Sequence, residues 1–296
     1  MFLDHKDSER TQTYLVRRVE SAASLSRAVD RGVEALRLVG VRLSDVASAE
    51  RILLVEGDSD VAVLKEWFGT KLVRHGIAVV PMDGGDKAWH TEMVIRVLQQ
   101  ADTLDRRVVF LRDRDELSDE SAAKLGASGN VHLLARRELE NYLLEPDAIA
   151  QVLNGATLAS IVDALGPAAD ATRDTVLLKT VVARLKLHCT PDRKQVKELR
   201  KAGAGLEELV QMILDATSPV ELERHVRAVW SEASAELDRE WAQLKLELAP
   251  GAEVLDAVWK AHGHHYQKKR DGLRLAAAME KPPTEFNELI NSLAET

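Results

Sequence analysis

The residues of this chain that are best suited to chemistry are acids at or just after the ends of short apolar runs. They are Glu56, Asp60, Asp113, Asp115 and Glu140. Carboxylates that share a cleft repel one another, and they cannot all stay ionised unless a cation lies among them. Their oxygens are hard ligands, which select Mg²⁺, Mn²⁺ or Ca²⁺. The residue types therefore predict a divalent metal site.

The elements that must position these acids are strands of a mainly parallel sheet. Apolar runs occur at 51–55, 77–80, 107–111 and 131–134. The first of them does not alternate with polar residues, which is typical of a strand covered on both faces. Helical patterns lie between the runs and predict βαβ units with right-handed crossovers. Because the working residues of open α/β sheets gather at the carboxyl ends of the strands, we expect the acids to share one cleft.

The spacing of the acids supports a shared cleft but leaves one alternative open. Asp113 and Asp115 are two residues apart, so in an extended chain their side chains point to the same side. Asp60 lies one helical turn beyond the strand end at Glu56, so both can face the cleft. Alternatively, Asp58, Ser59 and Asp60 cap the helix that follows, since Asp and Ser are favoured at helix N-termini.

Composition limits the classes of function. The 296 residues contain 40 Lys and Arg against 48 Asp and Glu, a formal charge of −8, which argues against a protein that coats nucleic acid through bulk positive charge. The single cysteine, Cys189, excludes an intramolecular disulfide framework and fits a reducing compartment. The apolar runs are far shorter than a membrane span, so we expect a cytoplasmic protein with no membrane partner.

Three segments of the first half resemble TOPRIM domains. LLVEGDSD at 53–60 resembles the EGxxD element of these domains, and VVFLRDRDE at 108–116 resembles their DxD element. Between them, VVPMDGG at 79–85 is similar to a strand-plus-glycine segment that TOPRIM domains often carry. The resemblance implies an α/β TOPRIM fold, which is a Rossmann-like, mainly parallel sheet flanked by helices, here with an inserted all-helical domain.

Further segments resemble one TOPRIM family, the OLD (overcoming lysogenization defect) nucleases, and its class 2 members in particular. The segments are GVRLSDVASAERILLVEG at 40–57, RRELENYLLEP at 136–146 and YQKKRDG at 266–272. The domain organisation that follows is a TOPRIM domain in two parts, 47–146 and 249–296, around a helical domain at 147–248. A helical segment at 1–46 precedes them.

The resemblance implies metal-dependent cleavage of DNA phosphodiester bonds by two-metal catalysis. Two Mg²⁺ or Mn²⁺ ions are held by the five acids named above, and Ca²⁺ is expected to bind without supporting turnover. Glu56 also counts as a catalytic residue. A lysine near the C-terminal end of the TOPRIM domain assists at the scissile phosphate, and it matches Lys268, or Lys269 if the local alignment slips by one. The alternative is that both lysines lie in a solvated basic loop.

Other functions remain open beside DNA cleavage. One is an RNA-cleaving TOPRIM nuclease, and another is a non-catalytic subunit of a defence complex that partners an ATPase. A basic cluster at 193–201 is a further candidate for contact with DNA phosphates, or else a solvated helix face.

OLD proteins normally carry an ABC-type ATPase domain before the TOPRIM domain. The glycine segment at 84–87 lacks the spacing of a Walker A motif and the Ser or Thr that follows its lysine. We therefore expect either an ATPase domain upstream in a longer protein, of which this chain is a C-terminal fragment, or a stand-alone nuclease.

Overall fold

The computed structural model describes residues 49–82, 107–117, 119–127, 129–185 and 219–295. Contacts divide the chain into two compact units. Of the described residues, the sheet unit comprises 49–82, 107–112, 129–132 and 282–295, and the helical unit comprises 113–117, 119–127, 133–185 and 219–281. The predictions for the helical segment at 1–46, the glycine segment near residue 84 and the basic cluster at 193–201 fall outside the described residues.

The strands within the described ranges form one sheet of four. Its strands are β1 (Arg51–Val55), β2 (Ile77–Pro81), β3 (Arg107–Arg112) and β4 (Val131–Leu133). The order across the sheet is β2-β1-β3-β4, and β1 pairs in parallel with both of its neighbours. The apolar residues of β1 are fully buried, as expected of a central strand in a parallel sheet. The predicted α/β fold class is confirmed.

Helices make up most of the remaining described chain. They are α1 (Asp58–Arg74), α2 (Asp119–Gly126), α3 (Pro146–Val152), α4 (Leu158–Asp170), α5 (Arg173–Arg184), α6 (Pro219–Leu248), α7 (Gly251–Ala261), α8 (Lys268–Ala278) and α9 (Thr284–Ala294), and a 3₁₀ helix spans Leu139–Leu143. Among the helices of the described ranges, none is both long enough and apolar enough to cross a bilayer.

In the sheet unit, α1 connects β1 to β2 and packs on both strands. Its buried face consists of Val63, Leu64, Phe68 and Leu72, which recur at helical spacing. The ring of Trp67 lies 5.3 Å from that of Phe286 on α9. The core of this unit therefore fixes the end of β1 and the start of α1, where Glu56 and Asp60 lie.

In the helical unit, α4 contacts α3, α6 and α7, while α6 also packs on α5. The 3₁₀ helix is contacted by α7 and α8, so Glu140 lies among helices. The predicted helical character of this part of the chain is observed wherever the structure describes it. The domain boundaries at residues 47, 147 and 249 stay predictions.

Candidate active site

The end of β1 carries the first pair of acids. Glu56 follows β1 directly and is partly buried, while Asp60 is buried in the first turn of α1. Oδ2 of Asp60 accepts the backbone N–H of Gly57 at 3.1 Å, and Oδ1 accepts the Ser59 hydroxyl at 3.2 Å. Asp60 therefore caps α1, in agreement with the alternative predicted for it. A carboxylate has about four lone-pair sites, so this role leaves it able to bind a cation as well.

The end of β3 leads directly into the second pair of acids, Asp113 and Asp115. Oδ1 of Asp113 accepts the backbone N–H of Leu139 at 3.2 Å. The backbone N–H of Asp115 donates to the carbonyl oxygen of Arg137 at 2.9 Å. Both bonds lie within the helical unit, and they tie the DxD loop to the segment that leads into the 3₁₀ helix.

The backbone at Asp115 differs from the prediction. Its φ is 45°, in the left-handed region, whereas the spacing argument assumed an extended chain. Asp and Asn enter this region more readily than other non-glycine residues, because their short polar side chains can bond locally. The premise that Asp113 and Asp115 point to the same side of an extended segment is wrong. Their role as metal ligands stays a prediction.

The fifth acid lies against the predicted lysine. Glu140 is only 2% exposed, whereas the side chain of Lys268, the first residue of α8, is 46% exposed. Nζ of Lys268 lies 2.8 Å from Oε1 of Glu140. Lys268 thus begins a helix and pairs with a buried carboxylate instead of lying in a solvated loop. Its neighbour Lys269 is exposed.

A second carboxylate, that of Glu138, lies beside this pair and was not among the predicted site residues. Oε1 of Glu138 accepts the backbone N–H of Ala252 at 2.8 Å, at the start of α7. Burial and the negative charge of Glu140 raise the pKa of Glu138, although the Ala252 N–H and Lys268 oppose this. Two neighbouring carboxylates in such surroundings are stabilised by a nearby cation. The sequence signal was the first of the two acids in the R-R-E-L-E-N-Y segment at 136–142.

Tyr266 adds a neutral hydrogen-bond donor near the same acids. Its hydroxyl is buried and has no hydrogen-bond partner within the ranges that the structure describes. Burial and the charges of Glu140, Asp271 and Glu138 raise the pKa of the phenol, so it stays protonated. Its ring lies 5.4 Å from that of Trp259, a buried residue of α7.

Comparison with protein families identifies the part of the chain that contains the EGxxD and DxD motifs. Residues 49–115 match the TOPRIM domain of overcoming lysogenization defect-like proteins. The match includes both motifs, covers less than half of the chain, and stops short of Glu140 and Lys268. The resemblance to an OLD-type TOPRIM domain is thereby confirmed. A search of curated proteins found no match.

The donor atoms of the TOPRIM motifs suit a hard divalent cation. All five predicted ligands are carboxylates, and TOPRIM domains generally bind divalent metals such as Mg²⁺. Within the described residues, no three Asp, Glu, His or Cys side chains are already gathered in a group that would hold an ion. The chemistry of the donors therefore fits the metal, and the complete ligand set stays a prediction.

Proposed function

We propose that the protein is a metal-dependent endonuclease that cleaves DNA with two Mg²⁺ or Mn²⁺ ions. A metal-dependent, nuclease-type function is what an OLD-like TOPRIM domain suggests. The observation that carries the proposal further is the ion pair between buried Glu140 and half-exposed Lys268. It places a carboxylate suited to a metal ion beside an ammonium suited to a phosphate, and two-metal hydrolysis of a phosphodiester uses such groups.

The acids have a common role as ligands in this proposal. They are Glu56, Asp60, Asp113, Asp115 and Glu140. Two divalent ions held there would activate a water molecule and stabilise the leaving oxygen. Glu56 acts as a catalytic residue through this contact with the reacting centre.

Lys268 has the properties needed for contact with the scissile phosphate. Its ammonium is a point charge on a flexible four-carbon stem, and nearly half of the side chain is exposed. A phosphoryl group in transfer spreads negative charge over its oxygens, which a nearby cation stabilises. In the proposed reaction, the ammonium turns from Glu140 to the phosphate when the substrate binds.

The proposed setting of this activity is the cytoplasm, because a single cysteine suits a reducing compartment. An ABC-type ATPase is the proposed protein partner, as the resemblance to OLD proteins implies.

Plasmid nicking tests the proposal. We expect the wild type to nick a supercoiled plasmid with Mg²⁺ or Mn²⁺ but not with EDTA, and Asp113→Ala to be slower by about 100-fold. Asp58→Ala is the matched control, since Asp58 is an exposed acid of the EGxxD segment outside the proposed ligand set. Its activity should stay within about twofold of wild type. Equal cleavage by the wild type and Asp113→Ala would point to a contaminating nuclease, and the proposal would fail.

Two further comparisons refine the assignment. Lys268→Ala is expected to lower the single-turnover rate by about 100-fold, because it removes a charge placed for the transition state. Lys269→Ala should change the rate far less, and the reverse order would assign the role to Lys269. An RNA of the same sequence replaces DNA in a parallel assay, and cleavage of the RNA alone would favour the RNA-directed alternative.

A further inference from the structure

We infer that Asn141 is a positioning residue, which fixes the backbone that carries Glu140 and thereby the Glu140–Lys268 pair. The inference rests on the proposed function and adds to it a residue that touches neither metal nor substrate. Its evidence comes entirely from contacts within the helical unit.

The side chain of Asn141 is fully buried and uses its polar atoms in three directions. Its Nδ2 donates to the carbonyl oxygens of Leu246 at 2.7 Å and Ala249 at 2.8 Å. Its Oδ1 accepts the backbone N–H of Glu138 at 2.9 Å. Both amide hydrogens and the carbonyl oxygen are therefore committed, so the side chain has one orientation.

The carbonyls that Asn141 binds lie at the C-terminal end of α6 and one residue beyond it. A helix leaves its last four carbonyl groups without partners inside the helix. Arg137 binds the two carbonyls between those of Leu246 and Ala249: its backbone N–H donates to Glu247 O at 3.0 Å, and its guanidinium donates to Leu248 O at 3.3 Å. Four consecutive carbonyls, those of residues 246–249, thus accept hydrogen bonds from the two residues that flank the turn of Glu140.

The first residue of α7, Gly251, packs directly against the backbone of the turn that contains Glu140. A Cβ atom added at Gly251 would lie 2.6 Å from the backbone N of Asn141 and 2.7 Å from the carbonyl carbon of Glu140. Such distances are far inside van der Waals contact, so only glycine permits this approach. The peptide between Glu140 and Asn141 is therefore fixed by packing as well as by hydrogen bonds.

The position of these contacts distinguishes a role for Asn141 in placing Glu140 from a role in capping α6 alone. A helix can end with a glycine and water, without any buried side chain. At this helix end, the capping amide belongs to the residue next to Glu140, so the same bonds determine where that carboxylate stands. Residues that orient a metal ligand typically contribute about 10- to 100-fold to metal affinity or activity.

The test compares two substitutions. Asn141→Asp keeps the shape and the Oδ1 acceptor but replaces the two amide hydrogens by an oxygen that faces two carbonyls. Thr172→Val is the matched control, because Thr172 is buried in the same unit and its hydroxyl donates to the carbonyl of Ala169 at 2.8 Å. It also removes a buried donor to a carbonyl, but it does so outside the proposed site.

The measurements on the full chain are kcat and KM for plasmid nicking, Mn²⁺ affinity by calorimetry, and the melting temperature. Assays are run well below the lowest melting temperature. For Asn141→Asp we expect kcat and Mn²⁺ affinity each to fall by about 10- to 100-fold, with a change in KM of less than about threefold. Thr172→Val should lower the melting temperature while kcat and Mn²⁺ affinity stay at wild-type values.

The inference is wrong if folded Asn141→Asp keeps the kcat and the Mn²⁺ affinity of the wild type, because the side chain would then only stabilise the fold. If Asn141→Asp does not fold, Asn141→Ser, which is smaller and adds no buried charge, is judged by the same two quantities. A wild type that neither cleaves DNA nor binds Mn²⁺ would overturn the proposed function itself. The two failures are therefore distinguishable.

Discussion

At the residue scale, Asp271 shows how the helical unit accommodates a buried charge next to the candidate site. Its carboxylate is fully buried, and it accepts the backbone N–H of Gln267 and two N–H groups of Arg270, each at 2.8 Å. Burial raises the pKa of Asp271, but the hydrogen bonds from Arg270 and Gln267 outweigh it and hold the pKa below its ordinary value of 3.8. The ionised form is therefore more favoured in the folded protein than in the unfolded chain.

The lowered pKa predicts a pH-dependent contribution to stability. A carboxylate with a lowered native pKa stabilises the fold fully above its unfolded value, and this stabilisation is lost as the pH falls through the native pKa. We expect Asp271→Asn to be less stable than wild type by about 2 kcal/mol at pH 7, since it weakens hydrogen bonds to a charged acceptor. Urea unfolding at pH 7 and pH 3 measures the difference, which should shrink below pH 4. The exposed Asp163→Asn is the control, and a difference that does not change with pH contradicts the argument.

At the scale of elements, one side chain of α1, that of Asp60, combines a structural role with a proposed chemical one. Asp60 caps the helix through the Gly57 N–H and is also a proposed metal ligand. Asp60→Asn keeps an oxygen for the cap, so its free energy of unfolding should stay within about 0.5 kcal/mol of wild type. Its nicking rate should fall by about 100-fold because the ligand charge is gone. Full activity in Asp60→Asn would show that Asp60 is a cap alone.

A second substitution at this position separates the two roles. Asp60→Ala removes both the cap and the ligand, so we expect it to lose activity as Asp60→Asn does and to lose about 1 kcal/mol of stability in addition. Thermal unfolding and plasmid nicking on both variants give the comparison.

The elements differ in how far the sequence predicts them. The strands were predictable because a buried parallel strand needs an unbroken apolar run, and β1 and β3 begin at the predicted residues. The left-handed backbone at Asp115 could not be predicted from the local sequence. The backbone N–H of Asp115 donates to a carbonyl oxygen more than twenty residues further along the chain. The cap at Asp60 could not be told from a metal ligand, since both roles need the same oxygen atoms.

The residues of the candidate site also differ in how far the sequence predicts them. The pairing of Lys268 with Glu140 could be anticipated only through the resemblance to a family, because the two residues are far apart in the chain. The supporting roles of Asn141 and Gly251 depend on the end of α6 and the start of α7, and no local pattern predicts which helix ends will meet the turn of Glu140.

At the scale of the whole molecule, the formal charge of −8 limits how the proposed DNA substrate could be bound. Positive charge is concentrated locally instead: Lys268, Lys269 and Arg270 occupy the first turn of α8, where the helix dipole disfavours cations. Two bound divalent ions would halve the net negative charge and place positive charge at the acids. Affinity for DNA should therefore depend on the metal more than on bulk electrostatics.

Fluorescence anisotropy with a labelled DNA duplex tests this expectation, with Ca²⁺ used to allow binding without cleavage. We expect DNA to bind at least about tenfold more tightly in Ca²⁺ than in EDTA, because metal bridging adds to few direct phosphate contacts. The plot of log affinity against log salt should have a slope of about −3, since each neutralised phosphate contributes about −0.9. Lys269→Ala should reduce that slope by about one if it contacts a phosphate. A slope near −8 that EDTA leaves unchanged would mean that a basic surface binds the DNA, and that the acids have no part in holding it.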